Sequence, residues 1–140
     1  MKAILFKNNK TKESHPDFRG FLGEVANWKD ENFIGIAAWI KETKQGEIYL
    51  SMRIEVTKNE ALHGAIFSNV TSYSGSIQCG DEKIFLQATR YDGTNGPFFR
   101  LEIFDDDDII EHYIRDVRGQ NKKAEQPTKQ PTEQAKSKAF

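Results

Sequence analysis

From Ile48 to Val56 the chain alternates without a break: Ile48, Leu50, Met52, Ile54 and Val56 on one side, Tyr49, Ser51, Arg53 and Glu55 on the other. Nine residues of strict period two define a half-buried β-strand, one face on a core and one toward water. The neighbouring segments read the same way. Lys2–Phe6 is a short apolar run ended by Asn8-Asn9, and Phe18–Val25 carries Phe18, Phe21, Leu22 and Val25 around two glycines. Phe33–Ile40 is another apolar run, joined to Ile48–Val56 by the polar link Lys41–Gly46, which ends in glycine as a hairpin loop does.

The second half follows the same plan. Ala65-Ile66-Phe67-Ser68-Asn69 echoes Ala3-Ile4-Leu5-Phe6-Lys7-Asn8, and Gly75-Ser76-Ile77 echoes Gly20-Phe21-Leu22. Lys83–Ala88, the turn Asp92-Gly93-Thr94-Asn95-Gly96 and Phe98–Phe104 echo the Ile34–Val56 hairpin, with Gly46 and Gly96 in equivalent places. Six to eight short strands at this spacing predict a mainly β fold. The expected form is a small OB-like barrel or β-sandwich built from two similar β-meander halves, residues 3–56 and 65–104.

The period then changes. Ile109, Ile110, Tyr113, Ile114 and Val117 fall on one face of a helix, expected over about residues 107–118. Asp105–Asp108 precede it, where negative charge caps the helix and meets the positive end of its dipole. Arg115 and Arg118 sit at the other end, and Gly119 is a suitable stop. Residues 119–140 are nearly free of apolar side chains, repeat Pro-Thr, and are expected to form a disordered basic tail. Residues 1–118 are then one globular domain, a size the 140-residue chain allows.

Charge is distributed more tellingly than its total of −1. Residues 1–20 carry net +3, residues 118–140 net +4, and residues 21–117 net −8, so an acidic body stands between two basic ends. Cys79 is the only cysteine, which excludes an intrachain disulfide and a multi-thiolate zinc site; it reads as a small core residue. No apolar stretch approaches the length of a membrane span, and MKAILFKNNK has too short an apolar core for a signal peptide. A cytoplasmic protein with no membrane role is expected.

No enzyme site can be assembled from these residues. The aspartate run lacks the alternate-position ligands and glycine turn of a calcium loop. His15, His63 and His112 are dispersed, no nucleophile–base set stands out, and no phosphate-cradling glycine loop precedes a helix. The expectation is a non-enzyme without cofactor or metal. The aromatics are more informative. Trp28, Phe33, Trp39, Tyr49, Tyr91, Phe98 and Phe99 lie in or beside strands, with Arg19, Lys41, Lys44, Arg53, Arg90 and Arg100 nearby. Aromatic and basic side chains on one sheet face stack bases and track phosphates in single-strand-binding barrels. The outward side of Ile48–Val56 sets Tyr49, Ser51 and Arg53 in register. The motif His15-Pro16-Asp17-Phe18-Arg19-Gly20 reads either as a proline-initiated turn entering a strand or as a loop presenting Phe18 and Arg19 to a ligand.

Pro16-Asp17-Phe18-Arg19, Gly35-Ile36-Ala37-Ala38-Trp39 and Tyr49-Leu50-Ser51 together resemble a small family of phage, plasmid and conjugative-element proteins, the domain-of-unknown-function family 736. The resemblance spans about residues 3–56. Ile36 is an insertion relative to the family pattern, and the family's usual acidic pair after the last strand is missing. It implies a mobile-element origin and supplies no activity. The overall plan is also similar to phage single-stranded DNA-binding proteins, a barrel followed by a tail ending in Phe, here Phe140. Their tails are typically acidic, whereas this one is basic and suggests a segment that itself touches nucleic acid.

The leading expectation is therefore an accessory protein that binds single-stranded nucleic acid through Phe18, Arg19, Trp39, Lys41, Lys44, Tyr49 and Arg53. The alternative is an interaction module that blocks a host defence or replication protein through its acidic surface, Asp105–Asp108 and the helix. A third reading is self-association through exposed strand edges.

Overall fold

Eight strands and one helix follow one another along the chain: β1 (Lys2–Lys7), β2 (Phe18–Leu22), β3 (Gly35–Glu42), β4 (Ile48–Glu55), β5 (Ala61–Ser68), β6 (Tyr73–Cys79), β7 (Glu82–Gly93), β8 (Gly96–Ile103) and α1 (Ile109–Glu125). This computed structural model describes residues 1–23, 33–70 and 72–125, the last five by their backbone alone. Trp28, Val25 and the segment from residue 126 to Phe140 lie outside the described residues. Each strand pairs antiparallel with the next, and β8 returns to pair with β1. The protein is thus a closed up-and-down barrel rather than a sandwich, its strands in chain order where an OB barrel has five in Greek-key order. Every described strand has a neighbour on both sides, so the barrel offers no open strand edge for self-association.

The interior is filled by the apolar members of each alternation. Leu5, Ile36, Met52, Ile54, Ile66, Ile77, Leu86 and Ile103 are almost fully enclosed, as expected when an eight-stranded barrel is just wide enough for its own side chains. Burying each of these is worth about 1.5–3 kcal/mol. Cys79 is buried among them, and burial together with nearby Asp105 pushes its thiol above its ordinary value.

The two halves repeat one another in register. In β2, Gly20 lies between Leu5 and Ile36; in β6, Gly75 lies between Ile66 and Leu86. Both are places of close backbone approach. A Cβ on Gly20 would overlap the Ile4 carbonyl oxygen and stand 2.9 Å from Leu5 Cα; on Gly75 it would overlap the Ala65 oxygen and stand 2.9 Å from Ile66 Cα. The incoming loops match too, with the Asn8 amide donating to Asp17 O at 2.9 Å and the Asn69 amide to Ser72 O at 2.7 Å. Gly46 (φ 88°) and Gly96 (φ 115°) turn the last hairpin of each half.

The helix closes one end of the barrel. Ile110 is fully buried, and Ile109, Tyr113, Ile114 and Val117 pack against the core, so the barrel covers the helix's apolar face. Asp105 accepts the amides of Ile109 at 2.7 Å and Ile110 at 2.9 Å, and Asp108 takes a left-handed conformation (φ 55°). The helix therefore starts at Ile109 instead of near residue 107. It also runs on to Glu125, so Gly119 is no stop and residues 119–125 do not belong to a disordered tail. Arg118 anchors this stretch by donating to Val56 O at 2.8 Å and Phe33 O at 2.9 Å. The residues after Gly119 include Gln, Lys, Ala and Glu, all good helix formers, which carry the helix past a residue that only weakens it. Nothing stands within 4 Å of a Cβ at Gly119. Gly119→Ala is accordingly expected to raise stability by about 0.5–1 kcal/mol in a urea titration.

Candidate nucleic-acid interface

The loop between β1 and β2 is held tightly. Asp17 Oδ1 pairs with Lys10 Nζ at 2.8 Å and its Oδ2 accepts the Ile40 amide at 2.9 Å. Asn8 donates to Pro16 O at 2.9 Å, and Trp39 Nε1 donates to Ser14 O at 3.0 Å. His15–Gly20 forms a turn that enters β2, and Arg19 within it is exposed. Phe18 is a correction to the expected site: only 7% exposed, it points inward and meets Phe99 edge-on at 5.4 Å. Its position in the alternation explains this. Phe18 pairs with inward-facing Ala38 and sits two residues before inward-facing Gly20.

Partial burial opposes ionisation of Asp17, but the hydrogen bonds from Lys10 and the Ile40 amide outweigh it and hold its carboxyl below the ordinary 3.8. The folded value lies below the unfolded one, so this contribution to stability is present above about pH 4 and disappears as the pH falls through the folded value. Asp17→Asn should lower the urea midpoint at pH 7 and lose less stability than the native chain between pH 5 and 3. Equal acid sensitivity in the two proteins would contradict the assignment.

Two of the sequence-nominated cations are brought together by the sheet. Residues directly opposite on antiparallel neighbours share a face. Following the pairing outward from β7 gives one line of neighbours, Tyr91–Phe98–Phe6–Arg19–Ala37–Arg53. The first three are aromatic, stacked at 5.3 Å between Tyr91 and Phe98 and tilted at 5.7 Å between Phe98 and Phe6. Arg100 lies over the Tyr91 ring at 5.7 Å. Arg19 and Arg53 then flank Ala37, which is only 1% exposed. Neither forms an ion pair with a described residue, and Arg53 Nε is enclosed without an acceptor.

The rest of the nominated set lies beside this line on the outer face of β3 and β4. Trp39 pairs with Ser51, and Lys41 pairs with Tyr49. Tyr49 in turn stacks on Phe67 at 5.1 Å and 18°. Lys44 is exposed in the hairpin turn beyond β3 and lies outside both groups. Thus Arg19, Trp39, Lys41, Tyr49 and Arg53 do share one exterior surface, and Phe67 completes it. Tyr91, Phe98, Phe6 and Arg100 form a second aromatic group that the sequence reading did not place in the site. Its only signal there was the proximity of Tyr91 and Phe98 to basic residues.

Below Phe6 an exterior cleft of about 410 Å³ opens between Phe21, Phe33, Arg19, Gly35 and Glu55. The ring series continues along it, with Phe6 to Phe21 at 6.5 Å and Phe21 to Phe33 at 6.2 Å. The repeat places a counterpart on the other half, lined by Phe67, Ser74, Ser76, Lys83, Phe85 and Phe104. In register, Ser74 and Gln87 stand there in place of Arg19 and Ala37, and Glu102 in place of Arg53. The two halves share a backbone plan and differ in charge.

Among the described residues no group of three or more His, Cys, Asp and Glu side chains converges as a metal site, and no helix is long and apolar enough to cross a membrane. What fold and surface define together is a filled eight-stranded barrel with an aromatic and cationic outer face. No family model matches the chain, and neither a curated protein nor a solved structure does so.

Proposed function

We propose that the protein binds single-stranded nucleic acid on the outer face of its barrel, in a phage- or plasmid-type accessory role of the kind the family resemblance implies. The observation that carries this reading is the unbroken line Tyr91–Phe98–Phe6–Arg19–Ala37–Arg53 beside the Tyr49–Phe67 stack. Ring faces on both flanks take unstacked bases, and the two arginines between them meet the phosphates that join those bases. A duplex keeps its base faces stacked inside, so rings on a convex barrel reach only single strands. The barrel interior is packed, which leaves the exterior as the binding surface.

The acidic body limits affinity and makes it depend strongly on salt. The test is fluorescence anisotropy with labelled oligo-dT and a duplex of equal length, at low and moderate salt. Preferential, salt-sensitive binding of the single strand is expected. Equal binding to the duplex, or no binding, would remove this function.

A further inference from the structure

The cleft beside Arg19 has three apolar walls and one polar group at its floor. Phe6, Phe21 and Phe33 supply the walls, and Glu55 is the carboxylate among the lining residues. Gly35 opens the floor: where its Cβ would stand, Glu55 Oε1 is 3.2 Å away and Phe33 Cε2 is 3.6 Å away. The Glu55 carboxylate has no hydrogen bond or ion pair to another described residue, and Arg19 also lines the cleft. The cleft's volume falls within the range of about 300–1,000 Å³ typical of small-ligand sites. A negative group in a site for a polyanion demands a reason.

We infer that this cleft receives one base of the bound strand and that Glu55 selects guanine. The inference rests on the single-strand reading above and adds a specificity to it. An ionised carboxylate offers two acceptor oxygens and no donor. Among the unpaired bases, guanine alone presents two adjacent donors on its pairing edge, the ring N1–H and the exocyclic amine, which match the two oxygens. Adenine and cytosine place an acceptor nitrogen beside their amine, and thymine flanks its one N–H with two carbonyls. Each of those mismatches sets an acceptor against the carboxylate, a penalty of the kind that makes hydrogen-bonding sites discriminate strongly. The phenylalanine walls hold the base by its faces, while Arg19 meets the adjoining phosphate.

The counterpart cleft supports an assignment to one half only. Ile54 and Ile103 are equivalent in the two registers, so Phe104 stands where Glu55 does, and no carboxylate lines that cleft.

The test uses the full chain and three labelled oligonucleotides of equal length in fluorescence anisotropy at neutral pH. One is all thymidine, one carries a single central dG, and one carries inosine there, which keeps N1–H and lacks the 2-amine. The dG strand is expected to bind about tenfold more tightly than the all-thymidine strand, within the range for a bidentate base contact. Inosine should fall between them, and Glu55→Gln should bring the dG-to-dT ratio close to one. A ratio near one in the native protein, or an unchanged ratio in Glu55→Gln, overturns the guanine assignment while single-strand binding persists. Failure to bind any of the three strands overturns the single-strand reading as well.

Discussion

Gly20→Ala is expected to remove about 4 kcal/mol or more of stability, a size reached only by a few kinds of single substitution. Ordinary strand glycines gain slightly when replaced by alanine, because a glycine weakens a strand through its unfolded-state entropy. Gly20 differs because its Cβ would overlap the Ile4 carbonyl oxygen and lie 2.7 Å from the carbonyl carbon. Those atoms belong to the backbone of β1 and cannot rotate away. The strands would have to part, breaking the Leu5–Gly20 pairing at the heart of the first half. Gly75→Ala should behave alike, since its Cβ would overlap Ala65 O and lie 2.8 Å from Ala65 C. Urea titrations of both, with Gly119→Ala as the oppositely signed control, decide the matter. A loss under about 1 kcal/mol at Gly20 would mean that β1 and β2 are less closely apposed than described.

The second large effect concerns binding. Tyr49→Ala and Phe98→Ala are each expected to weaken single-strand binding by about 1–3 kcal/mol, or roughly five- to 150-fold, if each ring stacks a base. The two sites lie on different aromatic groups, one against Phe67 and one between Phe6 and Tyr91. Arg19→Ala and Arg53→Ala should act otherwise. Each removes about one phosphate contact, so the slope of log affinity against log salt should fall by about 0.7 per substitution. A ring variant with native affinity would take that aromatic group out of the interface, and an unchanged salt slope would do the same for the arginine.

Much of the fold is legible in residue order, for a local reason. Period-two alternation dictates which side chains of β4 enter the core, and the switch to a helical face marks α1. The echo of Gly20 by Gly75 and of Gly46 by Gly96 is visible before any coordinates, and the matching registers of the two halves give it physical content. The helix boundaries were less legible. The aspartate run marks a cap without saying that Asp105 is the one that reaches two amides, and Arg118 ties a mid-helix position to Val56 and Phe33, contacts that no local pattern contains.

The site divides along the same line. Tyr49 and Arg53 could be placed on one outer face because they share a strand of clean alternation, and a strand's two faces follow from its pleat. Phe18 could not be placed, because Phe18, Phe21 and Leu22 do not share one parity and the glycine between them hides which is inward. A shift of one residue exchanges core and surface. The apposition of Phe98 with Phe6, and of Arg19 with Arg53 across Ala37, depends on ring closure and inter-strand register. Sequence alone therefore determined that the body is made of strands, the core-facing side of β4 and the two-part plan, since these follow from alternation within a strand and from the echo between the halves. Tertiary structure alone decided which outward residues became neighbours, because closing β8 onto β1 joins segments from the two ends of the strand series into one surface.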